Sequence, residues 1–552
     1  MPTNTTNHPG APILVVVPKY TPGRFEPSSD YTFPIGLAYV ASSLLRKGLP
    51  VEALNLNHLA GTPAEILKGT LDRKPFSVVC TGGNSLIFNE LREIIAVASS
   101  HPSHPATVLG GIVVTSEPDV VFEAIRPDYA IMGEGEDSAP ALFSELLAGN
   151  RPESIPGTIF SKDGRTVKTP VPPTPKDIDS IPFPELDMLG YNEWLDNLKA
   201  SCMCPIESPR PYPLLGSRGC PFKCTFCFHY ERHRERSLDS VFTELEAAVP
   251  KYRINFIGLY DDCFSLNMGR LKDFCARIRG LQEKTPWKLH WAVQLTVKKL
   301  SPEILRLLKD SGCISISFGF ESFSQPVLKS MRKPIATQEI ETALKLTLQH
   351  GLIVQANFIF GDVAETPATY AETLDFWKRS CQGQVNLDII RLYPGSAIYE
   401  QSVRRGIIKD RLAFLERGVS SPVPVNFTAG MSDQQYLQML RDVFEARRRH
   451  GVFVLPRPAK NAKGNYRVSL KCPFCGAKFK VDNIAITTKL WGTSFASFHC
   501  ACWKCSRRFI AMSLLGFVWM KSKSLRYRLA KFLGPAIAQR LPPLSKGLEL
   551  PP

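Results

Sequence analysis

Gly219-Cys220-Pro221-Phe222-Lys223-Cys224-Thr225-Phe226-Cys227 places three thiols within eight residues. Thiolates suit Fe–S clusters and zinc alike, so the spacing has to separate the two. Zinc sites favour Cys-x-x-Cys pairs and four ligands in a tetrahedron. Here three residues and then two lie between the cysteines, and an aromatic, Phe226, precedes the last. A [4Fe–4S] cube normally takes four thiolates. A compact loop that supplies three leaves one iron open to a small ligand, and an open iron makes the cluster reactive. A partial zinc site is the competing reading.

Working outward from the loop, apolar strand-like runs end in polar residues and are followed by helix-like stretches. Asn255-Phe256-Ile257-Gly258-Leu259-Tyr260 ends at Asp261-Asp262, and His290-Trp291-Ala292-Val293 ends at Gln294. Cys313 to Phe320 ends at Glu321-Ser322, and Val354 to Phe360 ends at Gly361-Asp362. This alternation predicts a parallel β/α barrel, and such barrels place their sites at the C-terminal ends of the strands.

Cys-x3-Cys-x-aromatic-Cys followed by this pattern resembles the radical S-adenosylmethionine (SAM) superfamily, over roughly residues 206–450. The resemblance implies a partial (β/α)6 barrel, a [4Fe–4S] cluster on Cys220, Cys224 and Cys227, and SAM chelated to the open iron and cleaved reductively to a 5′-deoxyadenosyl radical. It also implies SAM contacts. Phe226 lies in the cluster loop. Asp261 and Asp262 stand where the family has a Gly-Gly-Glu segment for the SAM amino group, and the glycines are replaced. Gln294 ends the next strand. Gly319, Glu321 and Ser322 match a Gly-x-Glu-Ser segment, with Arg332 or Lys333 as a carboxylate partner, and Gly361 closes the strand near adenine.

The first 150 residues read as a separate α/β unit. Ile13 to Val17, Val51 to Leu56, Phe76 to Cys80, Thr107 to Gly111 and Tyr129 to Met132 alternate with helix-like stretches. That order predicts a doubly wound, Rossmann-like parallel sheet with glycine turns at strand ends. Phe33-Pro34-Ile35-Gly36-Leu37-Ala38, Leu109-Gly110-Gly111 and Gly133-Glu134-Gly135-Glu136 resemble the cobalamin (B12)-binding-like domain of one large radical SAM subgroup, which implies cobalamin as a cofactor. The subgroup's Asp-x-His-x-x-Gly motif is missing. His58-Leu59-Ala60-Gly61 keeps a fragment, with Leu56 in the place of Asp.

Residues 151–205 are rich in proline and read as an extended connector; Cys202 and Cys204 within it read as spectators. Cys472-Pro473-Phe474-Cys475 and Cys502-Trp503-Lys504-Cys505 are two thiol pairs across a β-type segment. They predict a zinc-ribbon-like module over 465–512 that holds Zn2+. Cys500 or His499 are substitute ligands, and an auxiliary Fe–S cluster is the alternative. Residues 451–552 carry 18 Lys and Arg against two acids, Asp482 and Glu549, which accounts for the chain's whole net charge of +16. The segment 513–552 reads as a basic amphipathic tail suited to an anionic membrane surface or to docking on the ribbon; nucleic acid is a weaker candidate partner.

No apolar signal segment is visible in Met1 to Pro12, and fifteen cysteines fit metal ligation in a reducing compartment better than disulfides. The expected location is cytoplasmic or peripheral at the inner membrane surface, with an electron donor such as flavodoxin or ferredoxin. The expected function is cobalamin-dependent methyl transfer to an unactivated carbon of a small-molecule or lipid-like substrate. Oxidative cyclisation or rearrangement without methyl transfer is the alternative, and RNA modification a weaker one. No noncatalytic reading accommodates the three-cysteine loop.

Overall fold

A computed structural model of the chain describes residues 8, 10–20, 31–198, 206, 208–228, 232–264, 267–298, 300–417, 425–460, 466–484, 489–490, 493–494, 497–512, 514 and 517–518. Cys202, Cys204 and nearly all of the 513–552 tail lie outside the described residues. Two compact units are present: residues 1–197 with 392–420, and residues 198–391 with 421–552.

The first unit is built on a seven-stranded sheet in the order β2-β1-β3-β4-β5-β6-β7. The strands are β1 (Ile13–Val17), β2 (Val51–Asn55), β3 (Val78–Gly82), β4 (Ala106–Gly110), β5 (Tyr129–Ile131), β6 (Thr158–Lys162) and β7 (Arg165–Lys168). β1 is Ile-Leu-Val-Val-Val and buried throughout, as a central strand covered on both faces must be. β1 to β5 pair in parallel, whereas β6 and β7 add on as an antiparallel hairpin. The first part of the 151–205 stretch therefore pairs into this sheet and is not only a connector. The prolines that exclude regular pairing cluster after β7, and Thr158-Ile159-Phe160, free of them, pairs with β5 and puts Ile159 in the core. A later segment also belongs to this unit: Leu415 joins the core cluster around Phe88 and Val121. Arg411 donates to Glu117 Oε1 at 2.7 Å and to Glu400 Oε2 at 2.9 Å.

The second unit carries six parallel strands, β8 (Pro211–Leu214), β9 (Phe256–Leu259), β10 (His290–Gln294), β11 (Cys313–Glu321), β12 (Ile353–Phe360) and β13 (Asn386–Ile389). They lie side by side in sequence order, with helices between them, which is how a β/α barrel winds. The helices start where local chemistry allows: Ser301 accepts the N–H of Ile304 with Pro302 at the first turn, and Thr366 caps the helix that begins at Pro367. Trp291, Phe274, Phe320 and Phe358 fill the interior.

The C-terminal strands of this unit are short. Tyr466–Lys471 pairs with Lys478–Ile484, and Ser497–Ala501 pairs with Arg508–Met512, which also runs beside Phe453–Val454. Val468, Leu470, Val481, Phe509 and four cysteines form their small core.

Candidate active site of the barrel

The cysteine loop follows β8 and is braced before it is reached. Asp261, at the end of β9, accepts the Gly216 N–H on Oδ1 and the Ser217 hydroxyl on Oδ2, both at 2.7 Å, while Arg270 donates to Gly216 O at 3.0 Å. Burial raises the Asp261 carboxyl to about 6 despite these bonds. Its side chain is thus spent on holding the loop rather than turned toward a ligand.

Within the loop Cys227 N–H donates to Cys224 O at 3.2 Å. Thr225 N–H donates to Met331 O at 3.0 Å, which ties the loop to the segment carrying Arg332 and Lys333. Of those two, Arg332 is exposed, and Lys333 is half-buried with its Nζ 3.0 Å from Glu321 Oε1. Burial disfavours the Lys333 cation, but Glu321 and the Cys224 and Cys220 thiols outweigh it, and its pKa is raised. Lys333 acts in turn on Cys220 and Cys224, whose thiols are held up chiefly by burial and eased down by that ammonium. Cys227 opens to solvent on one side, yet the protein around it, together with Asp262 and its sister thiols, pushes it up to about 12.

Gly319 makes the ion pair possible. A Cβ there would collide with both the Glu321 carboxylate and the Lys333 ammonium. β11 slips register against β12 between Gly319 and Glu321, and Glu321 and Arg332 both have left-handed backbone, φ +59° and +52°. Such conformations cost about 1–3 kcal/mol each and persist where surrounding structure imposes them, often at functional sites.

The remaining expected residues divide. Asp262 lies close enough to raise Cys220 and Cys227, and Gln294 donates to its backbone carbonyl at 2.9 Å. Phe226 is half-buried within the loop. Ser322 is buried and turned inward, sharing a hydrogen with Thr373 Oγ1 at 3.2 Å and accepting Ser324 N–H at 3.1 Å. Gly361 has φ +100° and donates its N–H to Glu365 Oε2 at 3.2 Å. The strut role of Asp261 and the Thr225–Met331 tether carry no sequence signal, because each depends on which backbone groups the fold brings near.

Three thiols on one loop, each within electrostatic reach of the Lys333 cation, fit a cluster that takes three protein ligands.

In the first unit, loops after β3 and β4 press backbone against backbone: a Cβ on Gly111, at φ +89°, would strike the Gly83 backbone, and one on Gly82 would lie 3.0 Å from the Gly110 carbonyl. Gly110 itself opens onto free space. The strand order 2-1-3-4-5 puts the topological switch point between β1 and β3, where such sheets bind cofactors. His58 is not offered as a ligand there. Its Nε2 lies 2.8 Å from Tyr31 Oη and its Nδ1 3.3 Å from Glu193, and a Cβ on Gly190 would sit 2.7 Å from the ring. Open space at Gly110 and a His58 already engaged by Tyr31 and Glu193 agree with a corrin that would be held by backbone at these strand ends rather than by that histidine. Cys472, Cys475, Cys502 and Cys505 converge elsewhere in the second unit, with all four sulfurs within 4.8 Å of one another; Cys500 and His499 are not among them.

Sequence profiles match the Radical SAM superfamily over residues 214–377 and the B12 binding domain over residues 27–143. An uncharacterized methyltransferase of Pyrococcus horikoshii is 27% identical over 419 residues, spanning 74% of this chain and 86% of that one. An anaerobic magnesium-protoporphyrin IX monomethyl ester cyclase of Cereibacter sphaeroides is 27% identical over 374 residues, 65% of this chain and 58% of that one. Among solved structures, the radical SAM methyltransferase TsrM of Kitasatospora setae superposes with a TM-score of 0.59 at 19% identity, covering 71% of this chain and 76% of that one, which shows a shared fold. The loop, the barrel that presents it and the sheet before it agree with these matches: the chain carries a radical SAM domain over residues 214–377 and, N-terminal to it, a B12-binding domain over residues 27–143.

Proposed function

We propose that the protein is a cobalamin-dependent radical SAM methyltransferase acting on an unactivated carbon of a small-molecule or lipid-like substrate. The observation that carries this reading is the joint presence, in one chain, of a three-thiol loop beside the Lys333–Glu321 pair and a doubly wound sheet that matches the B12-binding family. When bound, the cluster and the corrin supply electron delivery to SAM and carriage of a methyl group.

The chain's own residues prepare those sites. Lys333 favours the thiolates that ligation requires, because the thiols must lose their protons on binding iron. Glu321 fixes the Lys333 ammonium, and Gly319 leaves room for both. Asp262 puts a carboxylate near the loop, suited to an ammonium group of SAM, while Asp261 keeps the loop in register beneath it. In this reading a flavodoxin or ferredoxin supplies the electron, and the basic tail holds the protein at the cytoplasmic surface of an anionic membrane. Among the described residues no helix is long and apolar enough to cross a membrane.

Similarity to a cyclase keeps a second outcome open: radical oxidative ring closure without methyl transfer. Anaerobic reconstitution with iron, sulfide and hydroxocobalamin, then dithionite-driven turnover of SAM, separates the two. Bound corrin with both 5′-deoxyadenosine and S-adenosylhomocysteine supports methyl transfer. Deoxyadenosine alone, with no corrin retained, overturns it in favour of the cyclase reading.

A further inference from the structure

The four C-terminal thiols are arranged in two equivalent knuckles. In the first, Cys472 N–H donates to Ala477 O at 2.8 Å and Gly476 N–H to Cys472 O at 3.0 Å; in the second, Cys502 N–H donates to Arg507 O at 2.9 Å and Ser506 N–H to Cys502 O at 2.8 Å. The residue after each second cysteine is left-handed, Gly476 at φ +74° and Ser506 at φ +56°. Across the knuckles Cys472 Sγ lies 3.6 Å from Cys505 Sγ, and Cys475 Sγ 3.6 Å from Cys502 Sγ.

Those separations distinguish a single ion from a cluster. A disulfide needs about 2.05 Å. Four thiolates about 2.3 Å from one zinc in a tetrahedron lie about 3.8 Å apart. A cube instead spreads its ligands over four corner irons, one thiolate to each, and cannot draw all four sulfurs within 4.8 Å. The geometry is that of a single ion, and four thiolates leave it no open position for catalysis.

The second knuckle has another task. Glycine is the residue that accepts a left-handed turn without strain, and the first knuckle uses one; the second uses Ser506. Its hydroxyl donates to Gly351 O, just before β12, at 2.7 Å. Arg507 donates to Gln382 Oε1 at 3.3 Å. Arg508, 3% exposed, donates to Val354 O and Gln384 O, each at 3.3 Å, and to Asn386 Oδ1 at 3.2 Å. Gln384 completes the joint by accepting Arg508 N–H at 2.6 Å and donating to Arg508 O at 3.1 Å. These barrel residues sit at the N-terminal ends of β12 and β13, the end opposite the cysteine loop, where barrels are held together rather than catalytic.

We infer that Cys472, Cys475, Cys502 and Cys505 bind one zinc ion, and that this ion holds the second knuckle in the shape that seats Ser506, Arg507 and Arg508 on the base of the barrel. The ion is then a structural clasp for β12 and β13, independent of the substrate on which the barrel acts.

The test uses full-length protein from zinc-supplemented culture, reconstituted anaerobically with iron and sulfide and analysed for both metals. One zinc and about four irons per chain are expected; about eight irons and no zinc overturn the assignment in favour of a second cube. Cobalt(II) in place of zinc gives tetrahedral thiolate absorption, and an octahedral spectrum overturns it. Ser506→Gly keeps the turn and all four ligands but lacks the hydroxyl. It is expected to retain its zinc while limited proteolysis of the C-terminal module speeds up about fivefold; unchanged cleavage overturns the clasp. Cys475→Ser is expected to lose zinc and keep the four irons of the other loop. If that variant does not accumulate, wild-type stoichiometry and Ser506→Gly decide.

Discussion

Lys333 Nζ stands 3.0 Å from Glu321 Oε1, and a Cβ on Gly319 would displace both groups. Three residues from two separate segments thus define one electrostatic feature beside Cys220 and Cys224. Gly319→Ala is expected to split the pair without unloading the cluster, because none of the thiols is touched. SAM cleavage falls about ten- to a hundredfold, the cost of misplacing a positioning group, while iron stays near four per chain. Iron analysis beside a deoxyadenosine assay checks this, and undiminished cleavage would show the pair to be incidental.

Cys224→Ala removes one of the three ligands and is expected to abolish deoxyadenosine formation. The first unit has its own core around Leu14, Val16 and Leu67, so hydroxocobalamin retention should match wild type. Normal SAM cleavage by this variant would sink the cluster assignment.

His58 has both ring nitrogens occupied by Tyr31 and Glu193, and burial lowers its pKa against the pull of Glu193. It belongs to the fold of the first unit rather than to a cobalt ion. His58→Ala should lower stability by about 1–3 kcal/mol through unpaired buried groups while corrin content is kept. The EPR spectrum of the Co(II) form should show no coupling to a protein nitrogen in either protein; a coupling lost on substitution would make His58 a ligand after all.

Glu365 is 1% exposed, and burial raises its carboxyl to about 7 although Thr369 donates to it at 2.6 Å and Gly361 at 3.2 Å; neighbouring Asp362 adds to the rise. The folded state therefore holds this proton more tightly than the unfolded chain. The stability contributed is present below the ordinary carboxylate pKa of 4.5 and is lost as pH rises to about 7, about 3 kcal/mol in all. Chemical denaturation across this window should show stability falling with pH in wild type and a flatter profile in Glu365→Gln. Parallel profiles would count against the buried proton.

Sequence alone determined the elements whose signal is local. The Cys220–Cys227 spacing carries the resemblance to the radical SAM family, the buried β-branched run at Ile13–Val17 marks a central strand, and the paired Cys-x-x-Cys motifs mark a second candidate site, because ligand spacing and apolar periodicity are written in neighbouring residues. Tertiary structure decided what depends on distant segments meeting. It turned Asp261 from a ligand contact into a brace for the loop, set Lys333 rather than Arg332 against Glu321, and drew Ser322 into the interior. It occupied His58 with Tyr31 and Glu193. It also brought four sulfurs to the spacing of one ion and laid Ser506–Arg508 across the base of β12 and β13. Each outcome rests on the orientation of a side chain toward a partner far along the chain, and no local pattern of residues encodes that.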